Sequence, residues 1–335
     1  MCMLSVASAT LGTLCLGKRK SLFLFEEEVA CLQGTGKQNS DVGSVDPQKK
    51  KIRVSSLAQR WLTALIAIPV VLVFVWFGGW WAFLATAVVV VVCCLEFHTM
   101  LLHIGQRPLI WISLGLSLLF LVSAMLPQQR LLILEIGIGA SILLSFPIFF
   151  WRKKMEGTLV DWALTLVIAF YIGWPMSLLL LLRGFEPAVI HLASGDWLYL
   201  PRGVWWLVTI FAGVWLFDAA AFFSGRYFGR HKLAPLISPA KTWEGVIGGL
   251  IACVIACLVT TMVPLGVPWY LSILLAVLIG GAATLGDLSE SLIKRQTHVK
   301  DSGQIMPGHG GMLDRMDSIL FAIIVVYIFA QLIAK

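Results

Sequence analysis

Apolar runs of about 20 residues recur along most of the 335-residue chain, and they restrict how it can fold. An α-helix of about that length crosses a hydrocarbon core of about 30 Å. Hydrophobic residues make up 59% of the chain and charged residues 13%, whereas soluble domains carry roughly 25% charged residues. The composition therefore excludes a single soluble domain and predicts an all-α polytopic integral membrane protein.

From Trp61 onward the hydropathy pattern predicts about nine transmembrane helices, which form a domain covering 57–335. The predicted spans are 61–77, 80–97, 109–126, 131–150, 159–182, 204–223, 245–265, 268–285 and 317–334. Two long polar segments between spans, 224–244 and 286–316, are predicted to be cytoplasmic loops.

Residues 1–56 differ in composition, with a polar stretch and a basic cluster at 49–53. We expect a mostly disordered cytoplasmic extension whose basic cluster lies at the membrane surface. The alternative is that this segment is an artefact of an upstream start site.

The basic residues predict the orientation of the spans. With a cytoplasmic N-terminus and nine spans, all but four of the 25 Lys and Arg residues fall in cytoplasmic segments. The four exceptions are Arg130, Arg183, Arg202 and Lys335. Because short basic loops stay on the cytoplasmic side, we expect the C-terminus outside. The protein is then integral to a membrane, with its two long polar loops on the cytoplasmic side.

The two long loops are rich in groups that bind phosphate and cations. Asp287, Glu290, Ser291 and Lys294 have the spacing of one helical face. A glycine-rich segment, 307–311, lies just before the last span, where backbone N–H groups favour an anion. Carboxylates beside Lys and Arg at a membrane boundary suit Mg²⁺ shared with substrate phosphates.

Other polar or small residues are expected to be structural. Glu96, Glu135 and Asp161 lie near span ends and are expected to be interfacial. The cysteines in the apolar runs are expected to be buried apolar side chains. Three glycines are expected to allow close helix packing: Gly245, Gly248 and Gly249.

The run from Ser291 to Asp317 resembles the signature of the phosphatidate cytidylyltransferase (CDP-diacylglycerol synthase) family, in its bacterial form. It follows the pattern S-x-x-K-R, four residues, K-D, then P-x-H-G-G-x-x-D-R-x-D. The segment from His231 to Gly245 is also similar to the family. One departure is Phe222, which stands where the family usually has an aromatic hydroxyl.

The resemblance implies transfer of a cytidylyl group from CTP to phosphatidic acid, giving CDP-diacylglycerol and pyrophosphate. It also implies a metal-dependent enzyme in which Asp287 and Asp314 bind metal. Mg²⁺ is the expected cofactor, together with a second cation of open identity. The expected partners are CTP, phosphatidic acid and membrane lipids. The bacterial form of the resemblance also implies a bacterial-type inner membrane, with the active site facing the cytoplasm. Homodimer formation is left open as a possibility, and no nucleic-acid partner is expected.

From this reading we assign candidate roles. The metal-binding candidates are Asp287, Asp314, Asp218 and Asp317. The catalytic candidates are Lys294, Arg295, Asp301, His309 and Arg315. The substrate-binding candidates are Ser238, Lys241, Ser291, Lys300, Gly310 and Gly311.

Three other functions are weighed against this one. A CTP-dependent lipid kinase acting on a polyprenol or phytol would release CDP rather than pyrophosphate. A transporter would carry charged residues near the middle of several spans, whereas here they gather at one end. A soluble-substrate phosphotransferase would need a separate soluble domain, which the composition disfavours.

Overall fold

The structure is a computed structural model, and it describes residues 77–151, 156–184, 201–303 and 310–333. The predicted extension 1–56 lies outside the described residues, and so does the first predicted span, 61–77, apart from Phe77.

Eight apolar helices make up most of the described chain. They are α1 (Gly79–His103), α2 (Ile110–Met125), α3 (Arg130–Phe150), α4 (Thr158–Arg183), α5 (Arg202–Phe228), α6 (Trp243–Leu265), α7 (Trp269–Gln296) and α8 (Leu313–Ile333). Seven are long and apolar enough to cross a membrane, and α2 is shorter. The prediction of an all-α membrane protein is confirmed.

Each predicted span after the first coincides with one of these helices, but the polar loops are shorter than expected. Helix α7 continues to Gln296 and α8 begins at Leu313, so much of the predicted loop 286–316 is helical. Helix α5 likewise continues to Phe228. A two-stranded antiparallel hairpin then follows, with β1 at Lys232–Ala234 and β2 at Ser238–Thr242. Hydropathy missed these extensions because polar residues continue the helices beyond their apolar parts.

Small residues let α5 and α6 pack closely. A Cβ atom at Gly248 would collide with the side chain of Ser224, and one at Gly249 would collide with Phe217. A Cβ at Gly245 would come within 2.9 Å of the Ala221 carbonyl oxygen. The predicted packing role of these three glycines is confirmed.

The core lies among helices distant in sequence. Fully buried side chains include Val90 of α1, Leu182 of α4, Ile210 of α5, Leu275 of α7 and Ile323 of α8. The four cysteines in the described helices, Cys93, Cys94, Cys253 and Cys257, are also buried and free, as predicted.

The first residues of α3 lie beside the second half of α8. The guanidinium of Arg130 donates a hydrogen bond to the Tyr327 hydroxyl over 3.3 Å. Since α8 begins at Leu313, its acidic first turn lies several helical turns away from this contact. The polar groups described next therefore gather at the other end of α8.

Candidate active site

An acidic cavity of about 290 Å³ opens where α5, α7 and α8 present their polar residues. Its lining residues are Asp218, Asp287, Glu290, Lys294, Asp301, Asp314, Arg315, Asp317 and Ser318. All four predicted metal-binding aspartates are among them. The lining carries six carboxylates but two cationic side chains, so its chemistry favours a bound cation.

The predicted polar face of α7 is confirmed. The Ser291 hydroxyl donates to Asp287 Oδ1 over 3.3 Å, one helical turn apart. Lys294 Nζ lies 3.2 Å from Glu290 Oε2, again at a spacing of four residues. One face of a single helix therefore presents both carboxylates and the lysine.

Asp314 is held from several directions. Its Oδ1 accepts a hydrogen bond from Lys294 Nζ at 2.7 Å. Its Oδ2 accepts the N–H groups of Ser302 at 2.9 Å and Gly311 at 2.8 Å. The Lys294 and Asp314 side chains are only 18% and 10% exposed, so this ion pair is largely shielded from water. The protein itself thus fixes the position of the Asp314 carboxylate.

The hairpin brings a second lysine to the site. Lys241 Nζ lies 2.5 Å from Asp287 Oδ2. The next residue, Thr242, ends β2 and caps α6, because its hydroxyl accepts the Gly245 N–H at 3.2 Å. The short strand and the helix cap together give Lys241 a defined place opposite α7.

Gly286 lets α7 and α8 approach each other at the cavity. A Cβ atom on this residue would collide with the backbone carbonyl oxygen of Asp317 and come within 3.0 Å of the Ser318 Cα. The close approach places Asp287, next to Gly286, near the carboxylate of Asp317. Both side chains line the cavity.

Glu290 has the least satisfied carboxylate of the cavity. It is completely buried, and neither oxygen accepts a hydrogen bond from an N–H or hydroxyl group, while the carboxyl groups of Asp314 and Asp317 lie close to it. Lys294 is close enough for an ion pair, but the contact lacks hydrogen-bond geometry. A buried carboxylate in this condition is costly without a cation or another partner.

The donor atoms fit a hard cation, although they are not gathered around one point. Among the described residues, no three His, Cys, Asp or Glu side chains form a group that could hold a metal ion. Two of the carboxylates, Asp287 and Asp314, are paired with lysines instead. The six carboxylates of the lining, with the buried Glu290 among them, supply the oxygen ligands that Mg²⁺ prefers.

Not every predicted site residue lines this cavity. Arg295 is exposed and donates through Nε to the Ile237 carbonyl oxygen at 3.4 Å. Lys300 is exposed, and Ser238 pairs with Ala234 in the hairpin. These three residues lie outside the cavity lining.

The glycine-rich segment is only partly described. His309 lies outside the described residues. Gly310 has a left-handed φ of 80°, which a glycine adopts without strain. The N–H of Gly311, predicted to hold a phosphate, donates to Asp314 instead. This amide therefore serves the loop that carries the aspartate.

The interfacial predictions for Glu96 and Asp161 are wrong. Glu96 is 4% exposed and Asp161 is 7% exposed, and both accept backbone N–H groups from distant segments. In the sequence alone, a carboxylate near a span end has the same pattern whether it is an interfacial anchor or a buried hydrogen-bond acceptor. The cost of placing a charge inside an apolar run was the available signal. Glu135 is exposed, in keeping with its prediction.

Comparison with known proteins gives consistent matches. The model of the cytidylyltransferase family matches residues 58–333. A phosphatidate cytidylyltransferase of Synechocystis is 32% identical over 295 residues, covering 82% of this chain and 97% of the relative. One of Staphylococcus haemolyticus is 34% identical over 79% of this chain and 95% of the relative. One of Pseudomonas aeruginosa is 51% identical over 44% of this chain and 53% of the relative.

Proposed function

The chain belongs to the cytidylyltransferase family, and from this premise we propose that it transfers a cytidylyl group from CTP to phosphatidic acid. The products are CDP-diacylglycerol and pyrophosphate. Relatives similar along nearly their whole length bear the name phosphatidate cytidylyltransferase. The phosphatidate cytidylyltransferase signature lies between Ser291 and Asp317, and five of its residues line the cavity: Lys294, Asp301, Asp314, Arg315 and Asp317.

The observation that carries the proposal is the acidic cavity at the end of an apolar helical bundle. The reaction brings together two polyanions, one of which has lipid tails. Apolar helices offer walls for the tails, while the cavity offers cationic groups and cation ligands beside them. Positioning and charge stabilisation are the main requirements for transfer to phosphorus.

In the proposed reaction, a phosphate oxygen of phosphatidic acid attacks the α-phosphorus of CTP. A new P–O bond forms there, the bond to the β-phosphate oxygen breaks, and pyrophosphate leaves with that electron pair. The attacking oxygen is already anionic, so a strong general base is unnecessary. Lys294 and Arg315 in the cavity neutralise phosphate charge, the arginine through its bidentate fork.

Mg²⁺ is the proposed cofactor, with a second cation of unspecified identity. Asp287 and Asp314 are the residues that would hold it, with Asp218 and Asp317 in support, and Asp314 also accepts the hydrogen bond that places Lys294. A bound divalent ion would supply charge neutralisation for the phosphates. Lys241 pairs with Asp287 and thereby supports that carboxylate between the hairpin and α7.

We propose nine crossings, made by the eight described helices and the apolar run 61–77. The cavity then lies on the cytoplasmic side of the inner membrane, where CTP is available. A reporter enzyme that is active only outside the cytoplasm should be active when it is fused after Lys335. A reporter that is active only in the cytoplasm should be active when it is inserted into the hairpin loop at 235–237. A C-terminal reporter active in the cytoplasm would contradict the nine-span arrangement.

The reaction can be tested with purified protein, radiolabelled CTP and phosphatidic acid. We expect a labelled lipid and pyrophosphate, both dependent on phosphatidic acid and on added Mg²⁺. Release of CDP with a polyprenol or phytol substrate would favour the lipid kinase instead. Failure to form a labelled lipid under any of these conditions, in protein that is folded, would reject the transferase.

A further inference from the structure

A carboxylate on α1 lies at the base of the site without lining the cavity. Glu96 is 4% exposed although it belongs to a helix of high hydropathy. Charged groups in such helices are expensive unless other groups satisfy them. The buried carboxylate of Glu96 therefore needs hydrogen-bond donors around it.

Glu96 accepts hydrogen bonds at the start of the last helix. Its Oε1 accepts the Met312 N–H at 3.0 Å, and its Oε2 accepts the Leu313 N–H at 2.8 Å. The first N–H groups of a helix have no partner within the helix, and negative charge is favourable there. A residue more than 200 positions earlier in the chain thus caps α8.

The same carboxylate also contacts the segment before the glycine-rich loop. The Ser302 hydroxyl lies 3.2 Å from Glu96 Oε2 and 3.0 Å from Asp314 Oδ2. Gly303 and Gly311 pack so closely on Glu96 that a Cβ on either would collide with its carboxylate. Glu96 therefore contacts the described residues on both sides of 304–309.

These contacts connect Glu96 to the ion pair in the cavity. Met312 and Leu313 directly precede Asp314, and Ser302 bonds to Asp314 through both its N–H and its hydroxyl. Asp314 in turn accepts the hydrogen bond from Lys294. A shift of the α8 start would consequently move Asp314 and release Lys294.

We propose that Glu96 is a positioning residue, which holds the start of α8 and residues 302–303 so that Asp314 and Lys294 keep their places in the cavity. The proposal rests on the proposed function for its activity readout. Its structural readout, the protection of the α8 amides, is independent of that function.

The test compares Glu96→Gln with Glu135→Gln. Both variants replace a carboxylate on an apolar helix by an amide of similar size, but Glu135 is exposed. Both Glu96 oxygens accept N–H groups, so glutamine would turn its own NH₂ towards one of these donors. In Glu96→Gln, amide exchange in peptides covering 310–316 should accelerate about tenfold or more, while the core of α5 and α7 keeps its protection.

The kinetic readout separates positioning from loss of folded protein. Misplacement of Lys294 should raise the KM for the same phosphate substrate whose KM rises in Lys294→Ala. The loss in kcat/KM should be about 10- to 100-fold, as for other groups that orient site residues. A smaller population of folded protein would lower the maximal rate and leave KM unchanged. Glu135→Gln should match the parent in both readouts.

A third variant tests the connection through Ser302. Ser302→Ala should lower activity by itself and add little in the Glu96→Gln background, because both changes break the same set of contacts. Any one of three results in Glu96→Gln would overturn the proposal. Amide exchange at 310–316 could be unchanged, exchange could be faster by the same factor in all helices, or the KM could be unchanged. If the parent makes no labelled lipid, the proposed function fails, and the local exchange result alone decides whether Glu96 holds this segment.

Discussion

Asp287→Asn is expected to lower turnover by about a thousandfold while the protein stays folded in the membrane. Asparagine keeps the volume of the side chain but removes one anionic oxygen from the cavity lining and the ionic partner of Lys241. The substitution therefore lowers the negative charge of the cavity lining where the proposed Mg²⁺ would bind. Formation of labelled CDP-diacylglycerol by equal amounts of purified variant and parent measures the loss.

The control for this substitution is again Glu135→Gln, an exposed carboxylate-to-amide change on α3. It should leave the rate within about twofold of the parent, since surface substitutions usually cost little. Asp287→Asn should also elute and melt like the parent in detergent. Activity of this variant within about tenfold of the parent would reject the proposed role of Asp287 as a cation ligand.

Lys294→Ala is expected to give the second large effect, a loss of about 100-fold or more in kcat/KM with a raised KM for one phosphate substrate. The substitution removes a cation from the cavity and leaves Asp314, which is 10% exposed, without its ionic partner. It also leaves the buried Glu290 with no cation beside it. Steady-state kinetics with CTP and phosphatidic acid varied separately will identify the substrate concerned.

Two further lysine variants make the result specific. Lys232→Ala removes an exposed lysine of β1 and should leave both KM values unchanged. Lys294→Arg keeps the charge but changes its geometry, and it should recover only part of the activity. Parent-like kinetics in Lys294→Ala would remove this residue from the site.

The local part of the site could be predicted because it depends on helical spacing. Asp287, Ser291 and Lys294 share a face of α7 whatever the rest of the chain does. The helices were predictable for a similar reason, since a long apolar run has few other stable forms in a bilayer. Their ends were less predictable because polar residues carry α5 and α7 beyond their apolar parts.

The contacts between segments could not be predicted from one sequence. The pair of Lys294 with Asp314 depends on how α7 packs against α8, and the pair of Lys241 with Asp287 depends on the hairpin. Glu96 was placed wrongly because its partners lie more than 200 residues away and two of the three are backbone N–H groups. The sequence pattern does not show which backbone N–H groups will donate to a distant carboxylate. The charge of Glu96 within an apolar run was the one local sign that it needed a partner.

The close contact at Gly286 has a consequence for how this site can vary. Main-chain atoms set the distance between α7 and α8 at this point. Unlike side chains, these atoms have no alternative rotamers, and substitution cannot make them smaller. Even one added methyl group would wedge the two helices apart and widen the spacing between the acidic groups on either side. Changes in lipid preference are therefore easier to accommodate in the apolar walls, where side chains can be exchanged without disturbing this fixed spacing.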